Sequence, residues 1–189
     1  MLRLRDVGKG EYRALYAYMK RDFPGNERPP YFAVKGNLRR QVYTAMFLEQ
    51  SGETVGYAVV TAPAAASFAL VSYLAIAPKF RSRGLGSELL TLLIRRFAGR
   101  ILALEVESPA AAESADIRAL RERRIAFYRR AGFRIVPTVR AVIFGVAMEI
   151  MVNTEENVGS VREMMRGLYR PSLPSEHWLR FIDVVDGEP

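Results

Sequence analysis

Between Gly56 and Pro78 the chain carries no charged side chain, and this run restricts the fold more than any other feature of the sequence. A span of that length could cross a bilayer as a helix. Its interior argues against one. Pro63, the small residues Ala64, Ala65, Ala66 and Ser67, and the polar Thr61, Ser72 and Tyr73 divide it into two buried strands joined by a turn. The second strand, Phe68 to Ala77, has apolar residues on both faces, with Leu70, Leu74 and Ile76 on one and Val71 and Tyr73 on the other. It therefore belongs in the middle of a sheet.

That strand runs into the bend Pro78-Lys79-Phe80-Arg81, an Arg/Gly-rich turn, and then an amphipathic helix from about Gly84. The helix turns Leu85, Leu89, Leu92, Leu93 and Phe97 inward and Glu88, Arg95 and Arg96 outward, and Gly99 stops it. A turn so placed can aim several main-chain N–H groups at one anion. Gly84 and Gly86 allow close approach and positive φ, Arg81 and Arg83 add charge, and Ser87 adds a hydroxyl in the first helical turn. A G-x-x-x-x-G-K-[ST] loop is absent, and Gly84-Leu85-Gly86 lacks the third glycine of a dinucleotide fingerprint.

The flanking segments alternate strands and helices. Leu2 and Leu4 alternate with Arg3 and Arg5 as in a half-buried first strand, and Tyr12, Leu15, Tyr16 and Met19 recur at helical spacing until Pro24-Gly25. Phe23 to Leu38, with three prolines, is poor helix or strand material in its first half and reads as a packed connector. Val42 to Glu49 and Thr54 to Thr61 form a hairpin about Ser51-Gly52. Ile101 to Glu107 is a strand with Leu102, Leu104 and Val106 on one face and Ala103, Glu105 and Glu107 on the other. A helix from about Ile117 to Ala131 follows, closed by Gly132. Arg134 to Val136 and Ala141 to Val152 supply further strands. The tail starts a helix capped by Thr154, with the stripe Val158, Val161, Met165 and Leu168. Residues 1–152 are expected to form one domain, with 153–189 a C-terminal helical extension packed on it.

Two motifs resemble one family. Arg81-Ser82-Arg83-Gly84-Leu85-Gly86 matches the R/Q-x-x-G-x-G/A signature of the GNAT N-acetyltransferases, and Tyr73-Leu74-Ala75-Ile76-Ala77-Pro78 before it is similar to that family's fourth strand. Farther on, Phe127-Tyr128-Arg129-Arg130-Ala131-Gly132-Phe133 resembles its F-Y-x-x-x-G-F helix ending. The two occur in the family's order, which makes them stronger together than either alone. The resemblance implies an α/β fold with a mixed, largely antiparallel sheet flanked by helices, and makes Phe23 to Leu38 a candidate substrate loop on the acceptor side. Acetyl-CoA would be the co-substrate, its pantetheine arm on the backbone of Leu74, Ala75 and Ile76 and its pyrophosphate on the amides from Arg81 to Ser87, Ser82 and Leu85 included. Tyr128 would face the departing CoA thiolate. A phenol near pKa 10 protonates a thiolate of conjugate pKa near 8.5 only uphill, by about 2 kcal/mol, so a hydrogen bond serves as well as full transfer.

The acceptor's base has no family motif. The acidic residue usual on the fourth strand is missing, since Ser72 and Tyr73 stand there. Glu105 and Glu107 are the candidates, because two carboxylates at i and i+2 disfavour joint ionisation and raise one pKa. An arginine-paired Glu107 is the competing reading.

Composition narrows the rest. The chain has no cysteine, which excludes thiolate metal sites, disulfides and a cysteine-borne acyl intermediate, so the acetyl group would pass directly to a primary amine of a small molecule or peptide. The lone His177 beside Trp178 reads as a surface residue. The net charge of +8, nearly all arginine, suits anionic partners, but no recognition motif accompanies it and nucleic acid is not expected. The start MLRLRDVGKG lacks an apolar signal core, which points to the cytoplasm. A CoA-binding sensor or interaction domain without catalysis is the alternative function. Met148, Met151 and Trp178 are candidates either for core or for a homodimer face.

Overall fold

A computed structural model of the chain describes residues 2–64, 66–137 and 139–187. Ala65, in the turn between the two uncharged strands, lies outside the described residues. The chain divides into two compact units, Met1–Ala65 with Val71–Arg96 and Ala66–Leu70 with Phe97–Pro189.

The first unit contains β1 (Leu2–Asp6), α1 (Tyr12–Asp22), α2 (Tyr31–Arg39), β2 (Tyr43–Gln50), β3 (Glu53–Thr61), the later residues of β4 (Phe68–Ile76) and α3 (Leu85–Arg96). Its strand order is β1-β2-β3-β4, with β1 and β3 both antiparallel to β2. The β2–β3 turn has φ of 51° at Ser51 and 83° at Gly52. Positive φ at both central residues gives the twist that a two-residue hairpin needs. The helical stripe read in the sequence is the buried one. Tyr12, Leu15 and Met19 of α1 pack with Val34 and Leu38 of α2 on Phe47, Tyr57 and Val59 of the sheet. In α3, Leu85, Leu89, Leu90 and Leu93 are buried, whereas Leu92, and Phe97 just past the helix end, both expected to face inward, are only partly covered.

The second unit contains the first residues of β4, then β5 (Ile101–Glu107), α4 (Ala115–Arg130), β6 (Arg134–Ile135), β7 (Val139–Ile143), β8 (Val146–Val152), α5 (Val161–Tyr169) and β9 (Ile182–Asp186). The order is β4-β5-β8-β7-β9, with β6 also on β8. Among the described residues of this unit β4 and β5 run parallel, and the other pairings are antiparallel. In each unit a largely antiparallel sheet is flanked by helices. Met164, Met165 and Leu168 of α5 pack on Ala103, Ile150 and Val152.

Three details differ from expectation. The segment Ala141 to Val152 is a hairpin turning at Phe144-Gly145, with φ of 48° and 84°. The last helix begins at Val161 under a Ser160 cap, while the Thr154 hydroxyl accepts from the Glu156 amide, outside any helix. The tail also adds a strand, because β9 pairs with β7. Met151 is core, whereas Trp178 is exposed. No described helix is long and apolar enough to cross a membrane, and the described residues hold no cluster of metal ligands.

Candidate active site

In the first unit the turn after β4 is built by short-range bonds. Pro78 opens a 3-10 turn, in which the Phe80 amide donates to the Ala77 carbonyl at 2.8 Å and the Arg81 amide to Pro78 at 3.3 Å. The chain then reverses through Ser82 at φ 62° and Gly84 at φ 77°, left-handed conformations that glycine adopts without a Cβ penalty. The Gly84 carbonyl receives the amides of Ser87 and Glu88, which starts α3. The amides of residues 82–86 meet no acceptor among the described residues. They form a set of donors at the positive end of a helix, with Ser82, Arg83 and Gly84 exposed, Gly86 partly so and Leu85 buried.

The arginines of the turn are engaged elsewhere. Arg81 donates through Nε to the Ile76 carbonyl at 2.9 Å and through its terminal nitrogen to Asp22 at 3.1 Å. The Asp22 carboxylate is buried and is also bound by Arg21 at 2.7 Å. Arg83 lies over the Phe80 ring, whose face also meets Lys79, and the Lys79 ammonium bonds Glu53. Of the three residues expected to offer backbone to the pantetheine arm, Ala75 and Ile76 are buried, Leu74 is partly exposed, and the Ile76 carbonyl already accepts from Arg81.

Ser72 and Tyr73, where the resemblance leads one to look for an acid, have other duties. The Ser72 and Thr61 hydroxyls share a bond of 2.7 Å. The Tyr73 hydroxyl donates to the Glu27 carbonyl, and its ring meets Phe23 edge-on at 5.1 Å. Tyr16 likewise donates to Pro29. The connector from Phe23 is thus pinned by two tyrosines before α2 begins.

In the second unit Glu105 and Glu107 lie on one face of β5 with different partners. Glu107 is the arginine-paired residue, bound by Arg121 at 3.0 Å and Arg124 at 3.1 Å. Glu105 accepts the Tyr169 hydroxyl on both oxygens, at 3.0 and 2.9 Å. Burial pushes its pKa up to about 7 while the Tyr169 bond pulls it down. The cause is local, since Ala103 and the facing Ile150 are fully buried members of the cluster beneath α5. Tyr128 sits on α4 between the rings of Phe127 and Phe133. Its hydroxyl has no hydrogen-bond partner among the described residues, and burial raises its pKa, opposed by Arg124. Arg124 therefore bears on both Glu107 and Tyr128.

Sequence reading missed Asp22 and Tyr169. Each reaches its partner over a long stretch of chain, 59 residues to Arg81 and 64 to Glu105. The available signals were an acid at the end of an apolar helix and a tyrosine ending another, and neither spacing names a partner.

Comparison with known proteins places these residues in context. The family model described as "Acetyltransferase (GNAT) domain" matches residues 41–135, which include the turn and Tyr128. Comparison with curated proteins returns no match. Among solved structures, a protein from Bacteroides thetaiotaomicron assigned to the GNAT family is similar with a TM-score of 0.72 at 21% identity, over 89% of this chain and 96% of that one. The ribosomal-protein-S18-alanine N-acetyltransferase from Escherichia coli matches at 0.59 and 22%, over 85% and 99%. The spermidine N-acetyltransferase from Vibrio cholerae, dodecameric in its structure, matches at 0.60 and 13%, over 80% and 92%. At these identities the likeness is one of fold.

Proposed function

The chain belongs to the GNAT acetyltransferase family, and from that premise we propose that it moves an acetyl group from acetyl-CoA directly to a primary amine. The observation that carries the reading is the run of unpartnered amides at residues 82–86, ahead of α3. Neutral donors fixed around a left-handed turn suit a diphosphate, because they need no reorganisation to meet it. Arg81, Ser82, Arg83, Gly84, Leu85, Gly86 and Ser87 are the proposed pyrophosphate site, and Leu74, Ala75 and Ile76 the proposed pantetheine edge. The parallel register of β4 with β5 covers only Phe68, Ala69 and Leu70, so these later residues take no part in it.

Bound acetyl-CoA supplies a thioester whose acyl carbon accepts the amine nitrogen, the C–N bond forming as the C–S bond breaks. A protonated amine must first lose a proton to expose its lone pair. Glu105, with a pKa near 7, is the proposed acceptor of that proton. Glu107 is committed to two arginines and is the weaker candidate. The nitrogen's second proton passes to solvent water after attack. Tyr128 is the proposed donor to the departing sulfur, and its raised pKa favours a stabilising hydrogen bond over full transfer.

A thiol reagent tests this directly, because the protein has no cysteine and any thiol released must be CoA. With acetyl-CoA and a panel of primary amines, amine-dependent thiol release matched by a mass gain of one acetyl group is expected. Tyr128→Phe should lower kcat about a hundredfold with KM for acetyl-CoA little changed. Calorimetry that finds CoA binding without thiol release on any amine would end the enzymatic reading. No heat at all would end the CoA site.

A further inference from the structure

We propose that Tyr169, contributed by the C-terminal segment, is the positioning residue that holds the Glu105 carboxylate ready to take the acceptor amine's proton. The inference rests on the acetyltransfer reading and adds to it a part of the chain beyond the matched residues 41–135.

The geometry is a two-point contact. One phenol hydrogen is shared between both carboxylate oxygens, at 2.9 and 3.0 Å, which fixes the plane of the carboxylate and leaves its outer lone pairs to a substrate. Tyr169 is itself held. Its ring meets Phe144 edge-on at 6.0 Å, and its carbonyl accepts the Ser172 hydroxyl at 2.8 Å. Phe144 in turn stacks on Phe181, whose carbonyl receives the Phe144 amide. A bulky residue rarely sits at φ 48°, and here the aromatic stack and that bond hold it there.

The surroundings leave Tyr169 in charge of Glu105. On the same strand face Glu107 is neutralised by Arg121 and Arg124. From β8 the facing residues are Ile150 and Met148, both uncharged, and Glu149 is turned to the Ser108 hydroxyl. From α5 and the turn after it, Arg166 donates to the Leu179 carbonyl and Arg170 pairs with Glu176. Burial alone would keep a carboxyl protonated through neutral pH, and a donated hydrogen bond favours the ionised form needed for proton removal. A base must be ionised to act, yet basic enough to take the proton. The apolar floor and the phenol set those two demands against each other.

Tyr169→Phe removes the hydroxyl and keeps the ring against Phe144. Two readouts test the proposal. In protein labelled with carboxyl-¹³C glutamate, the Glu105 resonance, assigned by its loss in Glu105→Gln, should titrate near neutrality in the wild type and at higher pH in Tyr169→Phe. In acetyl transfer, the acid limb of kcat/KM should move upward in Tyr169→Phe, with the loss at neutral pH recovered in alkali, while Glu105→Gln loses at least tenfold at every pH. A packing defect would not recover with pH. An unchanged Glu105 titration in Tyr169→Phe overturns the positioning role. Transfer that keeps its acid limb in Glu105→Gln overturns the base. Wild-type protein that transfers to no amine overturns the functional reading, whatever the resonance does.

Discussion

At the scale of single residues, Glu105 carries a cost that a pH series exposes. Its folded pKa of about 7 lies above the ordinary 4.5 of a glutamate, so the native state holds that proton more tightly than the unfolded chain. Stability from this group is therefore complete below about pH 4.5 and is lost as pH rises through 7. The whole difference amounts to about 3 kcal/mol. Glu105→Gln cannot ionise and escapes the loss. Urea unfolding should find the two proteins alike at low pH and the variant the more stable in alkali, and a constant gap across the range would mean that the carboxyl is ordinarily solvated.

At the scale of elements, Gly56 shows why β3 can lie close to β4. A Cβ there would come within 2.7 Å of the Ile76 side chain and 2.8 Å of the Ala75 carbonyl. Gly56→Ala should cost about 1–3 kcal/mol through overpacking. Because the displaced atoms belong to the proposed pantetheine edge, CoA affinity should fall with it. A lowered Tm with unaltered CoA binding would separate that edge from the site. The last helix depends on a contact no local pattern contains. Asp186 of β9 accepts the Val161 and Arg162 amides at the start of α5 and also the Ser160 hydroxyl. Asp186→Ala should cost about 1 kcal/mol, read as a lower Tm. These two positions mark how far the sequence could be read. The hairpin at Ser51-Gly52, the strand after it and the stripe of α3 follow from periodicity and turn chemistry, which are local. The start of α5 did not, because Thr154-Glu155-Glu156 imitates a cap while Asp186, far along the chain, supplies the real support. Phe144-Gly145 was missed as a turn since phenylalanine is a poor left-handed residue, tolerated here by its stacking on Phe181. In the site, the glycine turn and Tyr128 were legible as motifs. The partners of Glu105, Arg81 and Tyr73 were not, being tertiary.

At the scale of the whole molecule, the net charge of +8 should act on encounter more than on retention. Raising KCl from about 0.05 to about 0.5 M should slow CoA association severalfold and leave dissociation nearly constant, because short-range amide contacts are screened little. Stopped-flow traces in which salt chiefly speeds release would instead assign the grip to free guanidinium groups. Arg81 sharpens the point. Its side chain serves a main-chain oxygen and a neighbouring acid, both within the protein. What position 81 supplies is reach and two hydrogen atoms to donate, and a neutral side-chain amide has both. The signature's indifference between arginine and glutamine at that place thus acquires a reason, and Arg81→Gln should bind CoA about as well as the native chain.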